Sequence, residues 1–396
     1  MTNTPAPAAG ENIAVLRKAR GIGQKALAQR AGISLSLLSK IETGLRPATP
    51  PVIAAIAKAL HVSTARIYGQ PFIDVEQSDL LDSLRAAVRR HRLPREDVPP
   101  PGELAAKLKQ AATLRADTDY TALLRILPVL LGQATANAFS SDGDAASWGA
   151  VADLYGCAYA VAHRMGQTDL ADMIVSRQTW AATQTWHPEA EAAAAWNEAG
   201  TYQSAGQYAD GLAVVEQAIV QFETAARLRE DPESVAALGS LHLRGVVLAS
   251  RHKDRNATAD HLAHARKLAA KLPKTGDVLT HNLTFGPGNT AYYELAAHIE
   301  LEQPDKAVEM SRPLMEAPPP GLAANRVGRF YIDAARAELA VKQLDQAEDA
   351  LRRAFTVAPQ MTAVHPMARE VLRVLFVMLQ RSRPELLTMA QRAGLV

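Results

Sequence analysis

The residues best placed to do chemistry lie between positions 24 and 47, QKALAQRAGISLSLLSKIETGLRP, and the chemistry is the reading of duplex DNA. The segment has the residue types of a helix-turn-helix, in which the N-terminal end of the second helix enters the major groove. That geometry turns Leu35, Ser36, Ser39 and Lys40 toward base edges and Gln24 toward phosphate. Lys40 can donate to guanine O6 and N7, Ser36 can bond several bases, and Leu35 can touch a thymine methyl. With Lys25, Ser34 and Arg46 they form the candidate DNA-binding set.

These side chains must be held by two short helices and a tight turn. A first helix is expected from Gln24 to about Ala31, with Leu27 and Ala28 packing inward and Gly32 as the left-handed residue that ends it. Ser34 stands where an N-cap belongs, and Leu38 and Ile41 recur at helical spacing to bury one face of the second helix. The pattern predicts a preceding amphipathic helix over 12–20, carrying Arg17, and a following apolar helix over 52–60 started by Pro50-Pro51, with Ile67 and Tyr68 closing the unit. A short Ala-rich helical pair could also be part of an ordinary bundle. The wider set of helices and the residues Gln24, Leu27-Ala28, Gly32, Ser34, Ser36, Ser39, Ile41-Glu42, Gly44 and Arg46-Pro47 together resemble the XRE family of bacterial DNA-binding domains, which share the phage-repressor fold. The resemblance covers about one seventh of the chain and implies dimeric binding to double-stranded operator DNA. Leu37 departs from it, an apolar residue where polar ones are common.

Charge points the same way. The chain carries 43 Lys+Arg and 41 Asp+Glu, close to neutral, but residues 11–70 hold nine basic and two acidic side chains, so this segment is at +7 and the remainder at −5. Positive charge is concentrated where phosphate would be met. At 396 residues the chain is long enough for further domains with cores of their own. Residues 1–10, Ala- and Pro-rich, read as a disordered leader rather than a signal peptide. No apolar stretch reads as membrane-spanning, and a single cysteine, Cys157, permits no internal disulfide; both are expected of a cytoplasmic protein. Cys157 in LYGCAYA reads as a small buried residue.

The expected organisation is therefore a leader (1–10), a DNA-binding domain (11–70), a helical linker (71–102, with a helix over 79–92 and a break at Pro99-Pro100-Pro101-Gly102), and a helical body (103–396) without strand alternation. Turn-like segments followed by a fresh apolar helix recur in the body at Gly166, Gly206, Asp254, Glu302 and Lys342, about 40 to 50 residues apart. WNEAGTYQSAGQY at 196–208 is similar to the tetratricopeptide pattern, so the fold class is all-α, a five-helix head followed by an α-solenoid of tetratricopeptide-like hairpins capped by a helix over 371–379; an irregular bundle is the alternative.

A stacked array forms a groove suited to a peptide or a partner helix. In tetratricopeptide-like receptors asparagines bond a peptide backbone, and Asn197, Asn289 and Asn325 are placed early in successive hairpins, with Arg177, Trp180, Tyr293 and Arg329 as neighbours. The run THNLTFGPGNTAYYE at 280–294 predicts a helix break at Gly286-Pro287-Gly288, a cap at Asn289 and a groove loop in which His281 and Asn282 could hold a ligand. Each asparagine could equally be a cap or a solvated residue. The whole arrangement is similar to XRE–tetratricopeptide regulators, including peptide-responsive quorum-sensing receptors.

Enzymatic readings find little. None of the eleven histidines forms HExxH; His261 and His264 share a helix face without a nearby third ligand in sequence, and no phosphate loop or nucleophile elbow is present. The expectation is a homodimeric transcription regulator without catalytic residues, metal or cofactor, whose body takes a peptide or small effector; the alternative is a DNA-bound interaction adaptor with no diffusible effector.

Overall fold

Ser34 starts the second helix of the motif: its Oγ accepts from the Leu37 amide at 3.1 Å, and Gly32, at φ 64°, lets the Ile33 amide reach back to the Ala28 carbonyl at 3.0 Å. The computed structural model describes residues 8–69, 75–140, 144–226, 230–273, 276–379 and 383–395. Five helices form the head: α1 (Ala9–Ala19), α2 (Gln24–Arg30), α3 (Leu35–Glu42), α4 (Pro50–Leu60) and α5 (Thr64–Tyr68). Ile13, Leu27, Leu38, Ile41, Ile53, Ile56, Leu60 and Ile67 close its core, with the departing Leu37 packed at the edge. Each such side chain contributes about 1.5–3 kcal/mol on burial. The leader is shorter than expected, because Ala9 and Gly10 are buried in α1, where a Cβ on Gly10 would run into the Ile41 carbonyl. Residues 1–7 of it lie outside the described residues.

The body follows as α6 (Val75–Arg89), α7 (Pro101–Ala116), α8 (Tyr120–Ser140) and then hairpins α9 (Ala145–Arg164) with α10 (Thr168–Thr183), α11 (Pro188–Ala205) with α12 (Tyr208–Ala226), α13 (Pro232–Arg251) with α14 (Arg255–Ala269), α15 (Pro287–Glu300) with α16 (Pro304–Glu316), and α17 (Ala324–Ala340) with α18 (Leu344–Val357). The short α19 (Pro359–Val364) leads to a last pair, α20 (Pro366–Met378) and α21 (Pro384–Arg392), longer than the single capping helix expected. The first helices α9, α11, α13, α15, α17 and α20 pack on one another in that order and form the inner layer.

The recurring turns have one physical form. A residue in the left-handed region ends the first helix at Gly166, Gly206, Lys253, Glu302 and Lys342. In each case the next amide bonds the carbonyl five residues back, as from Gln167 to Ala162 and from Gln343 to Glu338, both at 2.9 Å. The bond tolerates Lys or Glu at the left-handed position, so the signature survives as spacing rather than as a fixed glycine.

Three expectations are corrected. The linker helix, expected over 79–92, belongs to the body: Leu81, Leu84 and Val88 of α6 share the body core with α8 and α9, because its apolar stripe needs a partner surface; residues 70–74, across the expected boundary of head and linker, lie outside the described residues. α8, 21 residues with a mean hydropathy of 1.3, is long and apolar enough to cross a membrane, contrary to the sequence reading; Leu123, Leu127, Leu131 and Ala134 pack it into the body core instead. And the body contains strands: β1 (Val278–Thr280) and β2 (Leu283–Phe285) pair antiparallel, Val278 opposite Phe285, around His281 and Asn282. Both turn residues have positive φ, 42° and 65°, as a two-residue hairpin loop requires, and the strands are too short for an alternation signal.

The array closes on itself. Gln360 of α19 accepts from the Tyr120 and Thr121 amides at the start of α8, at 2.9 and 3.3 Å, and donates to Asp119 at 3.0 Å. The head docks across this closed turn: Thr64 donates to the Ser204 carbonyl at 2.6 Å, and the Ala48 amide to Glu370 at 3.3 Å.

Candidate DNA-reading face and ligand chamber

On the head, α3 presents its reading edge to solvent. Leu35 is 47% exposed, Ser36 and Lys40 are exposed and Ser39 is half-buried, while Leu38 and Ile41 face inward. Lys25, Arg46 and the capping Ser34 are exposed around that edge. Behind it, Glu42 receives Arg17 through two hydrogen bonds at 2.7 and 2.8 Å and Gln24 through a third at 2.8 Å. Burial pushes the Glu42 carboxyl up, but its Arg17 and Gln24 hydrogen bonds hold it below its ordinary value. Gln24, expected at the phosphates, thus has one amide hydrogen committed to fixing α2 against α3. The Arg17 positive charge is spent on Glu42, whereas Lys18, Arg20, Lys25, Arg30, Lys40, Arg46, Lys58 and Arg66 remain exposed.

These features decide the head. Residues 8–67 match the family of the helix-turn-helix domain. They form a helix-turn-helix domain. No curated protein matches the chain. Among solved structures, the crystal structure of Bacillus thuringiensis PlcR in complex with the peptide PapR7 and DNA is similar over 92% of this chain and 99% of that one, with 14% sequence identity and a TM-score of 0.28.

Below the helix-turn-helix domain the inner helices surround a chamber of two adjoining lobes, about 160 and 150 Å³, which share His163, Arg164, Gln203 and Arg329. The deeper lobe gathers Asn197, Asn289, Tyr293, Asn325 and Arg329, five of the nine effector candidates. The other lobe runs to the seam with the head, where Pro50, Ile53, Thr64 and Tyr68 complete its wall. Asn197 Nδ2 donates to Gln178 at 2.7 Å from the middle of α11 rather than its start. Asn289 does not cap α15. Asp277 takes that role, accepting from the Gly288 and Asn289 amides at 3.0 and 2.7 Å, because α15 begins at Pro287 and its first free amides reach back to the residue before the hairpin. The Asn289 side chain instead donates to the Thr284 carbonyl at 2.6 Å.

The other four candidates lie apart. Arg177 and Trp180 belong to α10, the outer helix of its pair, and Trp180 packs edge-on to Trp148 and His91, centroids 5.1 and 5.0 Å away. Helical spacing could not tell an inner from an outer helix. His281 and Asn282 line a separate recess with Asp153 and Cys157 and tie the hairpin to α9: His281 Nδ1 is 3.0 Å from Asp153 Oδ1, and Asn282 Nδ2 donates to the Asp153 carbonyl at 2.9 Å. Burial lowers the His281 pKa, but the Asp153 hydrogen bond and charge outweigh it and hold it raised. Burial pushes the Cys157 thiol up to about 12, so it stays protonated. His261 gains a neighbour the sequence could not show, His242, with Nδ1 atoms 3.1 Å apart. Among the described residues no group of three or more His, Cys, Asp or Glu is arranged to hold a metal ion.

Sequence reasoning missed the arginines of the deeper lobe, Arg115, Arg164, Arg244 and Arg326. The signal was present in one place: Arg244 interrupts the apolar run LHLRGVV in the middle of α13, where a charge has no reason to be unless it faces a cavity. Its guanidinium carbon lies 3.5 Å from the Trp196 ring centroid.

Proposed function

We propose that this protein is a sequence-specific DNA-binding transcription regulator, acting in the cytoplasm as a homodimer on operator DNA, whose body binds a peptide or small effector. The observation that carries the reading is that a helix-turn-helix domain with an exposed basic reading edge is docked on a chamber one of whose walls it completes. In this reading Leu35, Ser36, Ser39 and Lys40 contact bases while Lys25, Ser34, Arg46 and the free amide hydrogen of Gln24 contact phosphate. An occupant of the chamber touches Arg164 and Arg329, which also line the lobe bounded by Thr64 and Tyr68, so it favours one placement of the head over others and shifts the population that can span two half-sites.

Selection of bound duplexes from a random pool by the full chain tests this. The expected result is a two-fold symmetric site with half-sites one or more turns of about 10 bp apart and strong salt dependence. Recovery of no enriched sequence would refute the regulator reading.

A further inference from the structure

The deeper lobe of the chamber carries more positive charge than its own residues neutralise. Arg115, Arg164, Arg244 and Arg326 line it, and among the described residues none of the four forms an ion pair. The one carboxylate in its lining, Asp333, is already held by Arg329 and Arg336, each at 2.8 Å. Hydrogen bonds to neutral groups account for only part of the guanidinium donors: Arg244 donates to Gln203 at 2.7 Å, Arg115 to the Asn282 carbonyl at 2.8 Å, Arg326 to the Tyr293 hydroxyl at 3.5 Å and Arg164 to the Tyr120 hydroxyl. The Nε atoms of Arg115, Arg244 and Arg326 are buried with no acceptor. Burial lowers the pKa of Arg244 to about 10, and those of Arg115 and Arg164 also fall. Asp153 and Asp277 act on Arg115 and Arg326 only at a distance, without a contact ion pair; a protein does not gain stability from four clustered cations so weakly matched, and such strain persists where a ligand relieves it.

We propose that this lobe is a binding site for a compact oxyanion, a small molecule bearing two or more phosphoryl or carboxyl groups, clamped by Arg115, Arg164, Arg244 and Arg326. The proposal rests on the effector reading above and narrows it. Guanidinium forks match the paired oxygens of phosphate and carboxylate. At about 160 Å³ the lobe favours a compact ligand over a long extended chain. The Trp196 ring beneath Arg244 fixes the plane of that fork, and the buried Tyr292 hydroxyl, which has no partner, supplies a further donor.

The test is thermal melting and titration calorimetry of the full chain with inorganic pyrophosphate and with citrate, each against sodium chloride at matched ionic strength. A saturable rise in melting temperature with either anion is the expected result, and the anion that gives it shows whether the site takes phosphoryl or carboxyl groups. Arg244→Gln and Arg326→Gln should each weaken that binding about tenfold or more, and Arg244→Lys, which keeps the charge but loses the stacked fork, should weaken it as well. Should Arg244→Gln fail to fold, Arg326→Gln and Arg244→Lys carry the comparison. The proposal is overturned if neither anion gives a saturable shift, or if the shift persists undiminished in the variants. DNA takes no part in this measurement, so its failure leaves the regulator reading standing, and failure to enrich an operator leaves the anion site standing.

Discussion

Gly206 of the body approaches Ala54 of the head so closely that a Cβ on Gly206 would lie 2.6 Å from the Ala54 Cβ. Gly206 also has φ 80°, but Lys253, Glu302 and Lys342 hold the equivalent turn position at 61–67° with full side chains, so the head contact, more than the backbone angle, demands glycine here. Gly206→Ala should therefore loosen the head from the body through the Ala54 clash, in addition to a cost of about 1–2 kcal/mol that the left-handed backbone places on the turn itself. Hydrogen exchange should rise in α4 and α5 while α1 keeps its protection. Adding Ala54→Gly should restore much of the docking, and a double variant no better docked than Gly206→Ala alone would argue against this contact as the cause.

The Arg17–Glu42–Gln24 cluster predicts a distinct acid response of the head. The Arg17 and Glu42 side chains are only 10% and 6% exposed, so Glu42→Ala, which leaves the guanidinium buried without a counter-charge, should destabilise the head by about 3 kcal/mol or more. Because the folded pKa of Glu42 is depressed, its contribution is fully present above the unfolded carboxyl value and is lost as pH falls through the lower, folded one. Melting of the head against pH should show a loss beginning below about pH 4.5, in the range of an ordinary carboxyl. In Glu42→Ala that part of the loss should vanish.

Buried imidazoles give the body an earlier acid response. Burial lowers His242 to about 3 and pushes His163 and His365 down as well, so all three fold as neutral rings. A base with a depressed folded pKa stabilises the fold above its unfolded value, near 6.5, and that stability drains away as pH falls toward the folded value because the unfolded chain binds the protons. The melting temperature of the body should fall between pH 6.5 and 4, and His242→Asn should flatten the slope.

For DNA, Lys40→Ala should relax preference at one base pair by about 1–3 kcal/mol, read from the selected sequences. Lys25→Ala and Arg46→Ala should leave preference intact, weaken every sequence alike and reduce the salt slope by about one each. Gln24→Ala should weaken all sequences while also lowering head stability, since it removes a Glu42 hydrogen bond.

The helix-turn-helix was legible because its determinants are local: Gly32 supplies a left-handed residue, Ser34 an N-cap, and Leu38 and Ile41 an inward face, all within about ten residues. The repeating turns were legible for the same reason, each being a bond between an amide and a carbonyl five residues away. What the sequence could not assign was which face of each hairpin looks inward. Asn197, Asn289 and Asn325 reach one chamber, but Arg177 and Trp180 pack on the outer layer, since period and composition are the same for inner and outer helices. The β1–β2 hairpin escaped notice because three-residue strands carry no measurable alternation, and its His281-Asn282 turn is fastened to Asp153, 128 and 129 positions away. Beyond the hint at Arg244, the arginine cluster was decided by tertiary structure. Arg115, Arg164, Arg244 and Arg326 come from α7, α9, α13 and α17, and only the packing of these helices brings four scattered charges to one lobe, because Coulomb repulsion depends on distance in space and not on separation along the chain.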